Sequence, residues 1–329
     1  MSTNPIQLPD VVLLEHGGRA WRPPEVLAVA VLNGTLQPIW RDVSAREAVR
    51  PMLDDEALQT AVNSFRTARD LTAASDFQRW MDGRHVDLDD VADHLERIVS
   101  EPGDTHTDPG DWLWGELVCS GRLDRMLWDF ARVLGVAAIA TVEGWAPVPP
   151  GPIDAEAAAL LARLGLPSDT LRTLRAATAR YADREAEVLT DDHLARLLET
   201  RRLDLIRFDV DLVHAADADV AAEVKLCLTV EREPVAELSQ RTGLQVEHRS
   251  AFTTAFAREL QRELLAAVPG SILGPFPDEN GLVVASLIRR HLPDPARPEV
   301  RETLIDIARR DAFPGATTGV RWPAWTPRG

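Results

Sequence analysis

The hydrophobic pattern of this 329-residue chain changes period near residue 203, and that change limits what it can fold into. Up to about residue 202, apolar side chains recur three and four positions apart, the spacing that gathers them on one face of an α-helix. Val49, Leu53, Leu58, Val62 and Phe65 keep that spacing, as do Leu88, Val91, Leu95 and Ile98. From Leu203 the chain alternates instead. Leu203, Leu205, Arg207, Asp209 and Asp211 interleave with Asp204, Ile206, Phe208, Val210 and Leu212, the two-residue period of a strand with one face more buried than the other. The expected fold is mainly α with a small α+β domain.

Proline and glycine punctuate the helical part. The stretch 101–111, with Pro102, Gly103, Pro109 and Gly110, reads as a linker or long loop, and Pro147, Pro149, Pro150, Gly151 and Pro152 make a second break at 147–152. Ser44 with Glu47 reads as a capping box opening a helix. Asp87 opens the next, with Asp89, Asp90, Asp93 and Glu96 on its water face. One apolar helix is expected from Trp112 to Leu134, then others over 154–164, 168–188 and 191–201, the last capped by Thr190. After the strand, helices are expected over 218–228 and 235–241. A longer one over 250–268 carries Phe252, Phe256, Leu260, Leu264 and Leu265. Strands over 272–276 and 282–288 join through Pro277, Asp278, Glu279, Asn280 and Gly281, and a final helix spans 299–310. The domains expected are 1–202, 203–312 and an extended or disordered tail, 313–329, holding Trp322, Pro323, Trp325 and Pro327.

Charge narrows the partners. With 36 Lys and Arg against 52 Asp and Glu, the net charge is −16, so no nucleic acid is expected as a ligand, because such binding draws on basic residues that displace phosphate counterions. Anionic membrane surfaces are disfavoured for the same reason. No apolar run reaches the ~18 residues of a membrane span, and the start lacks a basic and apolar leader, so a cytoplasmic protein is expected. Cys119 and Cys227 fit neither a disulfide framework nor a zinc pattern and read as two buried free thiols. The nine Trp sit mostly in helical apolar runs, where they serve core packing.

Three constellations could carry chemistry. His85, Asp89, Asp90, Asp93 and His94 offer metal-ligand types, with Asp90 and His94 one helical turn apart, but equally describe a solvated helix face. Asp209 and Asp211 resemble the Asp-x-Asp clamp of metal-dependent nucleotide-sugar transferases, or are outward-facing strand acids. His214 with Asp217, Asp219 and Glu223 could form an acid/base cluster, or the two aspartates cap the next helix. No phosphate loop, dinucleotide fingerprint, serine elbow or zinc-protease motif occurs, so no cofactor and no metal are expected.

The run from Ala266 through Val268, Pro269, Gly270, Ser271, Ile272, Leu273, Gly274, Pro275 and Phe276, then Asn280, Gly281 and a strand, resembles parvulin-type peptidyl-prolyl isomerase domains. Phe65, Arg66, Arg69, Leu71, Phe77, Trp80 and Met81, followed by 87–95, look like the helical module of secreted chaperone-isomerases. They also look like parvulin-like proteins associated with maturation of ribosomally made peptide natural products. The resemblance covers 44–100 and 203–312 and implies a helical chaperone-like body with a degenerate parvulin-like domain and a short antiparallel sheet. Active parvulins carry a Gly-Gly-rich loop and a histidine in the closing strand. Here 242–251 hold only Gly243, Leu282 and Val283 stand in the closing strand, and His214 is the nearest candidate for the family's other histidine.

The resemblance thus implies a chaperone-like accessory protein that binds a peptide or unfolded segment, such as a precursor peptide passed to a modifying enzyme, with weak or no isomerase activity. The candidate peptide-binding residues are Phe252, Phe256, Phe276 and Pro275. The alternatives are an active prolyl isomerase using His214 and a metal-dependent transferase using Asp209 and Asp211.

Overall fold

The computed structural model describes residues 4–278 and 281–322, and its contacts divide the chain into Met1–Glu187 with Phe313–Gly329, and Val188–Ala312. In the first unit, Leu14–His16 (β1) pairs antiparallel with Arg19–Trp21 (β2). Gly17 and Gly18, at φ 60° and 76°, make the two-residue turn that hairpins favour. Helices follow: α1 (Pro23–Leu32), α2 (Leu36–Glu47), α3 (Asp55–Thr67), α4 (Ala74–Arg84), α5 (Leu88–Ile98), α6 (Leu113–Cys119), α7 (Arg122–Val142), α8 (Ala155–Arg163) and α9 (Ser168–Val188). No described helix is long and apolar enough to cross a membrane.

α1 is apolar around its whole circumference, and its residues 26–31 are all buried, so it is a central helix rather than an amphipathic cover. The core around it takes Trp21, which meets Phe130 of α7 edge to face at 5.2 Å. Cys119 and Cys227 are both buried, and burial pushes the Cys119 thiol up to about 12.

Three local signals in the sequence lead elsewhere in the structure. Ser44 lies inside α2 and donates its hydroxyl to the carbonyl of Thr107; the cap in this region is Asp54, which accepts from the Ala57 N–H at 2.8 Å and starts α3. The helix expected from Trp112 to Leu134 is broken at Gly121, whose φ of 73° is left-handed and separates α6 from α7. Glu96, expected to face water, is buried; it accepts the Leu53 N–H at 3.0 Å and faces Arg50.

Residues 313–322, expected as a loose tail, pack on the first unit. A Cβ on Gly135 of α7 would stand 1.7 Å from the Ala316 carbonyl oxygen, so the segment touches the helix backbone. Phe313 meets Tyr181 at 5.6 Å, and Trp322 meets Trp128 at 4.4 Å. Pro323, Trp325 and Pro327 lie outside the described residues.

The second unit runs α10 (Asp191–Thr200), β3 (Arg207–Ala215), α11 (Ala218–Leu226), α12 (Val235–Thr242), β4 (Val246–Phe252), α13 (Arg258–Ala266), β5 (Ile272–Asp278), β6 (Gly281–His291) and α14 (Pro298–Ala312). The four strands form one antiparallel sheet in the order β4-β3-β6-β5. This α+β unit follows the order of elements read from the sequence, with β4 added between α12 and α13. It begins at Val188 rather than 203 because Leu194 and Leu197 of α10 pack with Val300, Leu304 and Ala308 of α14.

The helix expected over 250–268 is mostly something else. Val246–Phe252 is strand, Thr253–Ala255 a single 3-10 turn, and α13 starts only at Arg258. One sheet face, with Phe208, Val210, Leu212, Ala285 and Leu287, is covered by Leu260 and Leu264 of α13. On the other, Val213, Ala215 and Val284 lie under Ala221 and Val224 of α11 and Leu238 of α12.

Candidate functional site

The alternation that forms β3 places Arg207, Asp209 and Asp211 on the sheet face with Val213, beyond the apolar cluster that holds Val213 against α11 and α12. Register then supplies their partners. Ser250 and His248 of β4 stand directly opposite Asp209 and Asp211. The Ser250 hydroxyl donates to Asp209 and itself accepts from Arg207 Nε at 2.8 Å. His291 Nε2 lies 2.8 Å from the other Asp209 oxygen, and His248 Nδ1 lies 2.9 Å from Asp211. The face therefore carries two His–Asp pairs.

Burial opposes ionisation of Asp209, but the hydrogen bonds from Ser250 and His291, with the charges of His291 and Arg207, hold its carboxyl below the usual range. A depressed native pKa stabilises the fold above the unfolded carboxylate value of about 3.9 and loses that contribution as pH falls through the lower native value. Asp209→Asn is therefore expected to be less stable than the wild type at neutral pH and to approach it below about pH 4. Urea midpoints across that range test this, and a stability difference that does not change with pH refutes it.

The pairs do not make a catalytic relay. Ser250 and His291 each meet Asp209, whereas a nucleophile must meet its base. Nor do Asp209 and Asp211 gather a metal: among the described residues, the histidine, cysteine and carboxylate atoms that cluster within 4.8 Å belong to Cys227, Glu231 and Glu233. There Arg241 already takes Glu233 through bonds of 3.0 and 2.7 Å. The Asp-x-Asp clamp also needs a nucleotide-binding α/β unit upstream, and the chain before β3 is helical apart from the β1–β2 hairpin. The expected water-face cluster on α5 dissolves too. His94 is buried against Glu116 at 2.9 Å, and Asp90 bonds the Asp87 N–H at 3.0 Å.

His214 lies on the opposite sheet face, near the end of β3. Its Nδ1 is 3.1 Å from Asp278 and its Nε2 is 3.8 Å from Glu247, which Arg249 grips through two bonds of 2.8 and 3.0 Å. Val283 of β6 stands directly across from it. Asp217 does not join His214; it caps α11 by accepting the Val220 N–H at 2.9 Å.

The aromatic candidates separate. Phe256 and Phe276, each 5% exposed, belong to the core, Phe256 edge to face with Phe208 at 6.5 Å. Phe252 lies at the end of β4, not on a helix, and packs against the cluster of α10 and α14. Pro275, on β5, is exposed. The three rings do not line one groove, because the four-residue spacing that suggested a shared helical face belongs to a strand, a turn and a helix.

The feature that periodicity missed is the edge of the sheet. The His214 N–H donates to the Gln245 carbonyl at 3.0 Å, and the Thr253 N–H to the Ile206 carbonyl at 2.8 Å. With the observed register, the odd-numbered residues of β4 bond to β3, leaving the N–H and C=O of Val246, His248, Ser250 and Phe252 pointing outward. The other edge, β5, carries Pro275 and Pro277, which have no N–H to donate. One edge of the sheet is thus open along its length and the other is interrupted.

No protein-family model matches the chain, and no curated protein matches it. A solved structure that matches is described as one of two structurally related SurA-like chaperones of Campylobacter jejuni, the virulence factor PEB4 and the periplasmic protein Cj1289. It is 10% identical, with 95% of this chain and 99% of that chain covered, at a TM-score of 0.19. Likeness at that level establishes neither fold nor function.

Proposed function

We propose that this protein is a chaperone-like accessory factor that binds an extended peptide or unfolded segment along the outer edge of β4. The carrying observation is the asymmetry of the sheet: β4 offers a row of outward backbone donors and acceptors, while prolines interrupt β5. A strand added to an open edge gains affinity from main-chain hydrogen bonds, so it tolerates many sequences, as a chaperone requires. Arg249, Glu247 and His248 flank the edge with charges of both signs and suit polar clients. A precursor peptide in transit to a modifying enzyme, in the cytoplasm, is the client that the sequence resemblance suggests.

The decisive measurement is fluorescence anisotropy of a labelled, reduced and carboxymethylated unfolded polypeptide against the full chain. His248→Pro deletes one outward N–H without removing a β3–β4 bond, and His248→Ala removes the same imidazole while keeping the donor. We expect the proline variant to bind about tenfold more weakly than the alanine variant, roughly the loss of one backbone hydrogen bond. Equal affinity of the two variants defeats the edge reading.

The isomerase alternative rests on His214 at the sheet end. Its imidazole lies between Asp278 and Glu247, with Val283 in place of a second histidine. On a short X-Pro peptide we expect no acceleration over the uncatalysed rate; a large acceleration abolished by His214→Ala favours the isomerase.

A further inference from the structure

The charges on the open edge of β4 are complementary to themselves. Glu247 and Arg249 stand two residues apart on one face of the strand, bonded to each other at 2.8 and 3.0 Å, with side chains 39% and 40% exposed. Charged residues on an edge strand ordinarily keep a second copy away, because like charges meet across the new pair. Opposite signs at positions i and i+2 reverse that effect in one register.

The outward N–H and C=O groups belong to Val246, His248, Ser250 and Phe252, so an added antiparallel strand must bring its own outward residues opposite these. In a two-fold pair centred on His248, His248 of one copy bonds His248 of the other, and Val246 bonds Ser250. Glu247 then stands opposite Arg249 at two symmetric places, in the non-hydrogen-bonded positions where side chains come closest. Centring the axis on Glu247 or on Arg249 keeps the same backbone groups in line but sets Glu247 against Glu247 or Arg249 against Arg249. Like charges directly opposite destabilise a pair, so the side chains select the His248 register.

The other edge settles how such pairing ends. Pro275 and Pro277 deprive β5 of donors, so β4 of one copy has no continuous β5 edge of another to add to, and head-to-tail growth into a fibre is blocked. We infer that two copies of this chain join through their β4 edges in a closed two-fold dimer, uniting their four-stranded sheets. The inference rests on the same open edge as the peptide reading, and a second copy and a client exclude each other there. Two effects keep the dimer weak. The net charge of −16 repels a second copy, though only within the ~8 Å screening length of physiological salt. A seven-residue edge is also a small interface, so the dissociation constant is expected to be on the order of 100 µM.

Sedimentation velocity of the full chain at physiological ionic strength, over a concentration series spanning that value, tests the pairing. The wild type should pass from monomer to dimer. Glu247→Arg and Arg249→Glu each set like charges opposite at both symmetric places and should weaken the dimer about tenfold or more. An equimolar mixture of the two variants restores opposite signs at every place and should associate as the wild type does, as should the double variant Glu247→Arg/Arg249→Glu, which also shows that the substituted chains fold. A wild type that stays monomeric, single variants that dimerise like the wild type, or a mixture no more associated than its components overturns the inference. No client is present in this experiment, so a negative result leaves the peptide reading standing, and equal peptide affinity of the His248 variants leaves the dimer standing.

Discussion

Replacing Arg97 with methionine is expected to destabilise the helical unit by about 3–5 kcal/mol, because it leaves a buried carboxylate without its cation. The Arg97 side chain is 1% exposed and bridges α2 to α6 by bonding Glu47 at 2.9 Å and Glu116 at 3.2 Å. Removing the cation leaves Glu47 with Arg50 at 3.5 Å, and Glu116, the more buried, with only His94. Urea unfolding monitored by circular dichroism should show the helical transition moving to lower denaturant. The variant Arg97→Met/Glu116→Leu removes both partners and should recover part of the loss, since a matched apolar pair costs less than an orphaned ion. A single variant as stable as the wild type would show that this network contributes nothing.

Phe208→Ala is expected to cost the α+β unit about 3–5 kcal/mol. Phe208 is fully buried near the start of β3, beside Phe256 and the arginine fork of Arg290, whose centre lies 5.9 Å from the ring. Its removal leaves a void in the cluster that it shares with Leu260 and Leu264 of α13 and with Phe256 and Phe276. Hydrogen exchange of the β3 amides should accelerate, while the amides of α1 and α7 keep their wild-type protection. Unchanged β3 protection would mean that the ring is dispensable to the sheet.

Helices with a wide apolar stripe and a local cap were legible in the sequence. Asp87, Asp154 and Thr190 begin α5, α8 and α10 as their side chains dictate. The strand pair 272–288 was legible from its turn residues. β4 was not. As an edge strand, Val246–Phe252 is not fully buried anywhere along its length, so it lacks apolar alternation, and the spacing of Phe252, Phe256, Leu260 and Leu264 imitated one helix. Nor could spacing reveal the His–Asp pairs: Asp209 and His291 meet only because β3 and β6 are neighbours, with a register shift between Asp209 and Val210. Glu47, which reads with Ser44 as a capping box, instead bonds Arg97, and nothing local marks Arg97 as a charge whose partners, Glu47 and Glu116, come from two other helices.

The division of the chain at Glu187 also has an optical consequence. Every tryptophan and the sole tyrosine, Tyr181, lie within 1–187 or 313–329, and 188–312 contain phenylalanine as their largest aromatic residue. Intrinsic emission and near-ultraviolet absorbance therefore follow the helical unit alone, so a ligand docking on the sheet is spectroscopically silent unless it brings its own chromophore.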